Sequence, residues 1–70
     1  MKIRDFFENC RYCYKVEIFI FREETQLDCR EIYTGEDDFD NFINDYGDKE
    51  FEEWSVENNE DDTLIHFFLK

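Results

Sequence analysis

The sequence predicts an α+β fold: one small domain with the element order α-β-β-α-β-β, in which a single, mainly antiparallel sheet carries two helices packed on one face. Three observations lead to this fold class. The chain has 70 residues, no Pro and no linker-like stretch, which favours one domain. Two segments repeat apolar residues with the 3, 4, 7 spacing of a helical face. Four other segments have the length and alternation of strands.

Residues 2–10 are the first predicted helix. Its apolar side is formed by residues with helical spacing, namely Ile3, Phe6, Phe7 and Cys10. Charged residues occupy the other sides. So short a helix is marginal by its own propensity, and we expect packing to hold it in place.

Two strands are predicted next. Residues 12–21 alternate, and the face expected to pack on the helices carries Tyr12, Tyr14, Val16, Ile18 and Ile20. The opposite face ends in Phe19 and Phe21. Residues 22–26 form a polar turn without the Asn-Gly pair of a tight hairpin. Residues 27–34 then return antiparallel to the first strand.

The second helix is predicted over residues 38–46. Its apolar face again shows helical spacing, through Phe39, Phe42, Ile43 and Tyr46. Asp37 or Asp38 is expected to cap the helix at its N-terminus, where acidic side chains suit the helix dipole. Gly47 is expected to take the left-handed conformation that often ends a helix.

The last two strands are predicted over residues 51–57 and 63–69. In the first of them, Trp54 and Val56 point toward the core and the acidic residues point outward. The second is apolar on both faces, which is typical of a central strand. Residues 58–62 between them form an acidic turn.

The charge of the chain restricts its partners. Twenty acidic residues against eight basic ones give a net charge of −12. Residues 1–35 carry seven acids and six bases, whereas residues 36–70 carry thirteen acids and two bases. Nucleic acids and anionic membranes would be repelled by such a chain, so a basic protein surface is the expected partner.

The sequence also predicts a cytoplasmic protein. No apolar run approaches the roughly 20 residues of a membrane-spanning helix. Residues 1–9 carry charges where a signal peptide would need an apolar stretch.

The composition predicts a folded chain. Hydrophobic residues make up 41% of the chain and aromatic residues 20%, which is too apolar for a disordered segment.

The chain resembles a group of small acidic α-β-β-α-β-β proteins from phages and mobile elements of Gram-positive bacteria. The resemblance is carried by four segments and covers nearly the whole chain: KIRDFFEN, KVEIFIF, IYTG and EEWSVENNEDDTLIHFFLK. Some phage proteins of this size and acidity inhibit host defence, among them anti-CRISPR proteins and other DNA mimics. The resemblance therefore implies an inhibitor of a defence protein, with a CRISPR effector nuclease as the leading target.

DNA mimicry gives the acidic half a specific function. Carboxylates on one helix face, or at alternate positions of one strand, are about 5–7 Å apart. This spacing is comparable with that of the phosphates along a DNA strand. If the second helix and the 57–63 turn share one side, they form one array that blocks a DNA-binding cleft without any chemistry. The alternative is that the acids only keep the protein soluble. The residues expected to contact the partner are Asp37, Asp38, Asp40, Asp45, Glu53, Glu57, Glu60, Asp61 and Asp62.

The aromatic residues indicate a second surface. With two helices on one face of the sheet, Phe19, Phe21 and Phe68 fall on the other face and form an apolar patch. Such a patch favours contact with a partner or formation of a homodimer. The alternative function is therefore a self-associating structural or assembly module without inhibitory activity.

No enzymatic activity, metal or cofactor is predicted. Cys10, Cys13, Cys29 and His66 form a nominal zinc-ligand set, but hairpin pairing would place Cys13 roughly 20 Å from Cys29. The Cys10–Cys13 pair follows a helix C-terminus, whereas a redox-active pair begins a helix. We expect free thiols and a partly buried His66 in the sheet. The acidic runs lack the ligand pattern of a calcium-binding loop.

Overall fold

The computed structural model describes residues 1–8, 15–60 and 62–70, and within them the six predicted elements occur in the predicted order. The elements are α1 (Ile3–Phe6), β1 (Lys15–Arg22), β2 (Thr25–Tyr33), α2 (Asp37–Tyr46), β3 (Phe51–Asn58) and β4 (Thr63–Leu69). The α+β class is therefore confirmed. The first helix is shorter than predicted and ends at Phe6.

One mixed four-stranded sheet contains all the strands, in the order β2-β1-β4-β3. β1 pairs antiparallel with β2, and β4 pairs antiparallel with β3, as in two hairpins. The hairpins are joined by parallel pairing of β1 with β4, for example at Ile18 and Ile65. The prediction that residues 63–69 form a central strand is correct.

The hydrophobic core lies between one face of this sheet and the two helices. From β1 it includes the predicted Val16, Ile18 and Ile20, whereas Tyr12 and Tyr14 lie outside the described residues. The complete set of core residues is Ile3, Phe7, Val16, Ile18, Ile20, Ile32, Phe42, Phe51, Ile65, Phe67 and Leu69. We call the sheet face that contributes to this core the inner face.

Aromatic rings dominate the packing between helices and sheet. Phe42 of α2 is fully buried, and Phe7, just after α1, lies between helix and sheet. The Phe7 ring centroid is 5.1 Å from that of Phe39 and 6.0 Å from that of Phe67, in both cases edge to face. This is a preferred geometry for aromatic pairs. The two short helices are thus held mainly by shared ring contacts.

The first residues of the chain are fixed by backbone hydrogen bonds to the segment after α2. The Ile3 amide donates to the Lys49 carbonyl at 3.0 Å, and the Arg4 amide donates to the Gly47 carbonyl at 2.8 Å. In return the Phe51 amide donates to the Met1 carbonyl at 3.1 Å. These bonds explain why a helix of 4 residues is stable here, since isolated helices of this length are not.

Strand β3 lies at the edge of the sheet and is only partly covered. Trp54 and Val56 pair with the core residues Phe67 and Ile65, so they lie on the inner face as predicted. They nevertheless remain 55% and 45% exposed. A register shift makes Glu52 an extra residue in this strand, which is a β-bulge.

The β1–β2 hairpin is tighter than the sequence predicts. Arg22 pairs with Thr25, which leaves a two-residue turn of Glu23 and Glu24. Both have positive φ, 51° and 66°, as a type I′ turn requires. Glutamate is rarely found in this conformation. The sequence therefore did not indicate the turn, which has Glu-Glu where such hairpins usually have Asn-Gly. Further along β2, Leu27 is the extra residue of a second bulge.

The ends of α2 differ from the prediction. The residue before its first turn is Glu36, which makes no capping hydrogen bond through its side chain, so neither Asp37 nor Asp38 is the cap. Gly47 has φ −56° and ψ −33°, which is right-handed and not left-handed as expected. Glycine is needed there for space instead. A Cβ atom would collide with the Ile43 carbonyl oxygen and lie 2.8 Å from Ile43 Cγ2.

Gly47→Ala tests this explanation. Replacing glycine by alanine at an unstrained position usually stabilises a protein by about 0.4–1 kcal/mol. Here we expect a loss of about 1–3 kcal/mol, because the added methyl group overpacks the contact with Ile43. Urea denaturation followed by circular dichroism measures the difference, with Asn44→Ala at an exposed position of α2 as the control. A stabilised Gly47→Ala protein would show that the space is not restricted.

The hairpin turn generates a second prediction. The double variant Glu23→Asn, Glu24→Gly should raise the free energy of unfolding by about 1–2 kcal/mol, because both new residues tolerate positive φ. The variant Glu23→Gln, Glu24→Gln removes the same two charges and keeps the unfavourable backbone. Equal stabilisation by the two variants would attribute the effect to charge repulsion and contradict the backbone explanation.

Candidate functional site

The first turn of α2 carries a compact group of carboxylates. Its members are exposed and form no ion pair with another described residue; we call them the α2 acidic surface, and they are Glu36, Asp37, Asp38 and Asp40. Acidic side chains are favourable at this position because the N-terminal end of a helix is partially positive. The fold therefore tolerates a concentration of charge here that would be costly elsewhere.

Asp45, in the last turn of α2, differs from these residues because it already forms an ion pair within the protein. Its Oδ2 accepts a hydrogen bond of 2.7 Å from Nη2 of Arg30, which lies on the inner face of β2. Asp48, just beyond the helix, similarly pairs with Arg4 at 3.1 Å. The acidic residues at the two ends of α2 thus differ: the first turn is not neutralised by a described base and the last is.

Glu53 and Glu57 of β3 lie on the other side of the sheet. They pair with Phe68 and Leu64 of β4, which alternate with the core residues of that strand. Their side chains therefore leave the sheet on the face opposite α2. The sheet separates them from the α2 acidic surface, and the two groups do not form one array.

Glu60 and Asp62, the two described contact residues predicted in the acidic turn, lie at one end of the sheet, between β3 and β4. Glu60 is exposed, and Asp61 is outside the described residues. The Asp62 Oδ1 is 3.4 Å from Lys15 Nζ, which also donates to Glu31 Oε1 at 2.6 Å. The hydrogen bond with Glu31, and next the charge of Asp62, raise the pKa of Lys15 above its usual range. Asp62 is therefore partly neutralised.

The sheet face turned away from the helices is the open face. Its centre consists of four rings from the two central strands, Phe19 and Phe21 of β1 and His66 and Phe68 of β4. Phe19 stacks on His66 with centroids 4.6 Å apart, and Phe21 stacks on Phe68 at 5.2 Å. The predicted Phe19, Phe21 and Phe68 thus share this face, half-buried by each other. No described residue outside the sheet belongs to these stacks.

Carboxylates border the rings of the open face on two sides. Glu17 and Glu31 face each other on β1 and β2 at one end, and Glu53 and Glu57 lie along β3. Within the four strands, Lys15 is the one Lys or Arg on this face. The face therefore combines an apolar centre with an acidic border.

A partly buried network on the inner face was not foreseen from the sequence. Arg30 Nε donates to Asp28 Oδ2 at 3.2 Å, and the same oxygen accepts a hydrogen bond of 2.8 Å from Tyr46 Oη. The guanidinium carbon lies 5.9 Å from the ring centroid of Phe42 and 5.2 Å from that of Tyr46, so it also makes cation–π contacts. The sequence signal was weak: two residues of opposite charge at alternate positions, Asp28 and Arg30, in a predicted strand.

The network shifts the pKa of its members. The hydrogen bond from Tyr46, followed by those from the Cys29 amide and Arg30, lowers the pKa of Asp28 below its usual range. Burial, and then the hydrogen bond to Asp28, raises the pKa of Tyr46. The native fold therefore favours the ionised form of Asp28, and ionised Asp28 stabilises the native fold.

Cys29 and His66 both lie on the open face, on opposite sides of Phe19, with which each of them pairs. The exposed Cys29 thiol donates to Glu17 Oε1 at 3.7 Å. Burial, and then the negative charge of Glu17, raises the pKa of this thiol, so it is a weak nucleophile at neutral pH. His66 is partly buried in the sheet, as predicted. Among the described residues no group of three or more His, Cys, Asp or Glu is placed to hold a metal ion.

Comparison with known proteins gives no relative. No protein-family model, no curated protein and no solved structure matches this chain. In the part of the chain that the structure describes, no helix has the length and apolar character needed to cross a membrane. The α2 acidic surface and the open face are therefore the two candidate functional surfaces.

Asp28→Asn tests the inner-face network through pH. A carboxyl group with a lowered pKa in the folded state stabilises the protein above its unfolded-state pKa of about 4, and this contribution is lost as the pH falls through the folded-state pKa. We expect Asp28→Asn to cost about 1–2 kcal/mol at pH 7, because Tyr46 and Arg30 lose a charged acceptor.

The matching measurement is urea denaturation of both proteins from pH 7 to pH 2. The difference in free energy of unfolding should shrink below about pH 4 and approach zero once Asp28 is protonated in the native state. Asp48→Asn, which removes an exposed ion pair with Arg4, is the control and should change stability by less than about 1 kcal/mol. A pH-independent difference for Asp28→Asn contradicts the assignment.

Proposed function

We propose that this protein binds a nucleic-acid-handling protein and blocks its nucleic-acid-binding site. The observation that carries the proposal is the α2 acidic surface: exposed carboxylates at the N-cap and in the first turn of one helix, with no described base to neutralise them. In this position they present a strongly negative, preformed surface. The proposed action is steric and electrostatic and involves no chemical step.

The physical basis is the chemistry of nucleic-acid-binding sites. Such sites are lined with Lys and Arg that neutralise phosphates, and their occupation releases counterions. Asp37 and Asp40 are three residues apart on α2, a spacing that places Cβ atoms about 5–6 Å apart, so they can pair with neighbouring bases at the same time. The remainder of the protein, with a net charge of −12 over the whole chain, adds attraction at long range.

The resemblance to small acidic phage proteins supplies the target class. It favours a host defence protein, with a CRISPR effector nuclease as the leading candidate, and therefore an anti-defence function in the host cytoplasm. Among the predicted contact residues, Asp37, Asp38 and Asp40 are the best supported, because they are exposed and have no described ionic partner. Asp45 and Asp62 contribute less, since Arg30 and Lys15 already bind them.

Capture of the target tests the proposal. The tagged protein is incubated with host lysate supplemented with CRISPR effectors, and bound proteins are eluted with salt or with duplex DNA. We expect capture of a nucleic-acid-binding protein that DNA displaces, and at least about a tenfold loss of affinity for the variant Asp37→Asn, Asp38→Asn, Asp40→Asn, because opposite charges in contact are lost.

The matched control removes the same number of charges from exposed positions outside α2, in the variant Glu23→Gln, Glu24→Gln, Glu52→Gln. It should retain most of the affinity. Equal losses in both variants would mean that only net charge matters, and capture that DNA does not displace would contradict occlusion of a nucleic-acid site.

Self-association through the open face is the second candidate function. The stacked Phe and His rings on this uncovered face favour it, because apolar surface gains free energy when another surface covers it. Glu53 and Glu57 oppose it, since a second copy would bring its own carboxylates to the same interface. We therefore rank a self-assembling module after the binding protein.

A further inference from the structure

We propose that the open face binds an arginine side chain of a basic partner protein, with the guanidinium against the ring of Phe68 and hydrogen-bonded to Glu53 or Glu57. This goes beyond the proposed function. The surface lies on the side of the sheet opposite the α2 acidic surface, so the inference does not require that α2 occupies a nucleic-acid-binding site.

Phe68 offers the more accessible ring of the two on β4. His66 stacks on Phe19 at an interplanar angle of 9° and also lies 5.9 Å from Phe21 at 23°. Phe68 stacks on Phe21 alone among the described rings, at 17°, and its neighbour on the other side is Glu53 of β3. Aromatic ring faces carry the negative end of the ring quadrupole, so they attract cations.

The neighbouring positions on β3 complete a suitable environment. Glu53 pairs with Phe68, and Ser55 pairs with His66. Ser55 is the small residue in the middle of this short row, and Glu53 and Glu57 place a carboxylate at each end of it. A planar cation with several N–H donors meets both requirements, because it can stack on a ring and bind a carboxylate at the same time.

The protein already binds one of its own arginines in this manner. The guanidinium of Arg30 lies over the rings of Phe42 and Tyr46 and is hydrogen-bonded to Asp28 and Asp45. The inner-face network thus shows the same combination of ring faces and carboxylates with its ligand in place. On the open face that combination occurs without a Lys or Arg in β3 or β4.

Charge disfavours the two other obvious occupants. Aromatic side chains on the central strands of a four-stranded sheet can stack with nucleic-acid bases, but the carboxylates bordering this face repel phosphates. A second copy of the chain brings a charge of −12 to a surface that is already acidic. A basic partner is the occupant that both the rings and the carboxylates attract.

The first test compares two peptides of equal length and charge, one with four Arg and one with four Lys separated by Gly, by calorimetry and NMR titration. Arginine stacks on rings, whereas lysine acts mainly as a point charge. We expect the Arg peptide to bind about three- to tenfold more tightly. Its amide shift changes should centre on residues 53–57 and 64–68. Equal affinities, or shift changes centred on α2, would overturn the inference.

Variants assign the preference to the rings and the carboxylates. Phe68→Leu keeps an apolar side chain without a ring face and should reduce the Arg-to-Lys ratio to about one. Glu53→Gln with Glu57→Gln should weaken both peptides. The α2 variant Asp37→Asn, Asp38→Asn, Asp40→Asn should leave the ratio unchanged, which separates this inference from the proposed function. The wild-type shift map remains decisive if a variant does not fold.

Two further measurements test the alternative occupants of the open face, a nucleic acid and a second copy of the chain. Binding of a twelve-residue thymidine oligonucleotide on the open face would overturn the inference in favour of nucleic acid. Sedimentation of the wild-type protein without peptide reports self-association. A dimer that masks the amides of residues 64–68 and excludes the Arg peptide would overturn it in favour of a second copy, whereas a monomer that binds the Arg peptide supports it.

Discussion

The parallel pairing of β1 with β4 is the constraint on which the rest of the structure depends. It joins two hairpins into one sheet and brings Ile18 against Ile65 in the centre of the core. Because side chains alternate along a strand, a shift of one residue would exchange the buried and open faces. The same register that buries Ile65 therefore places His66 beside Phe19 and fixes the side on which the β3 carboxylates leave the sheet.

Much of the fold follows from periodicity and was predictable. The apolar spacing of α2 and the double-sided apolar character of β4 are local properties, so these elements were predicted almost to the residue. The parallel partner of β4 could not be predicted, because it depends on contact between segments far apart in the sequence. The tight Glu23–Glu24 turn and the steric requirement for Gly47 are local, but they depend on backbone conformations that the residue types at these positions do not indicate.

The candidate site shows the same limit. Counting along the sequence gave a neutral first half and a strongly acidic second half, but the fold places bases of the first half against acids of the second. Three such pairs join Arg4 with Asp48, Lys15 with Asp62, and Arg30 with Asp45. The acidic residues in the first turn of α2 differ from these paired acids because no described base lies close enough to neutralise them. Counting charges along the chain cannot reveal this difference. The resemblance indicated a kind of function, and the geometry narrows the residues that could perform it.

The two β-bulges have a consequence for how other molecules can approach. β2 and β3 form the edges of the sheet, and each is interrupted by an extra residue, Leu27 and Glu52. A bulge twists an edge and breaks the regular row of backbone donors and acceptors, and charged side chains along β3 add repulsion. Strand addition, and with it fibril growth in a chain with 20% aromatic residues, is therefore discouraged. Recognition is left to side chains on the faces of the molecule, where a single substitution can change the choice of partner without disturbing the backbone.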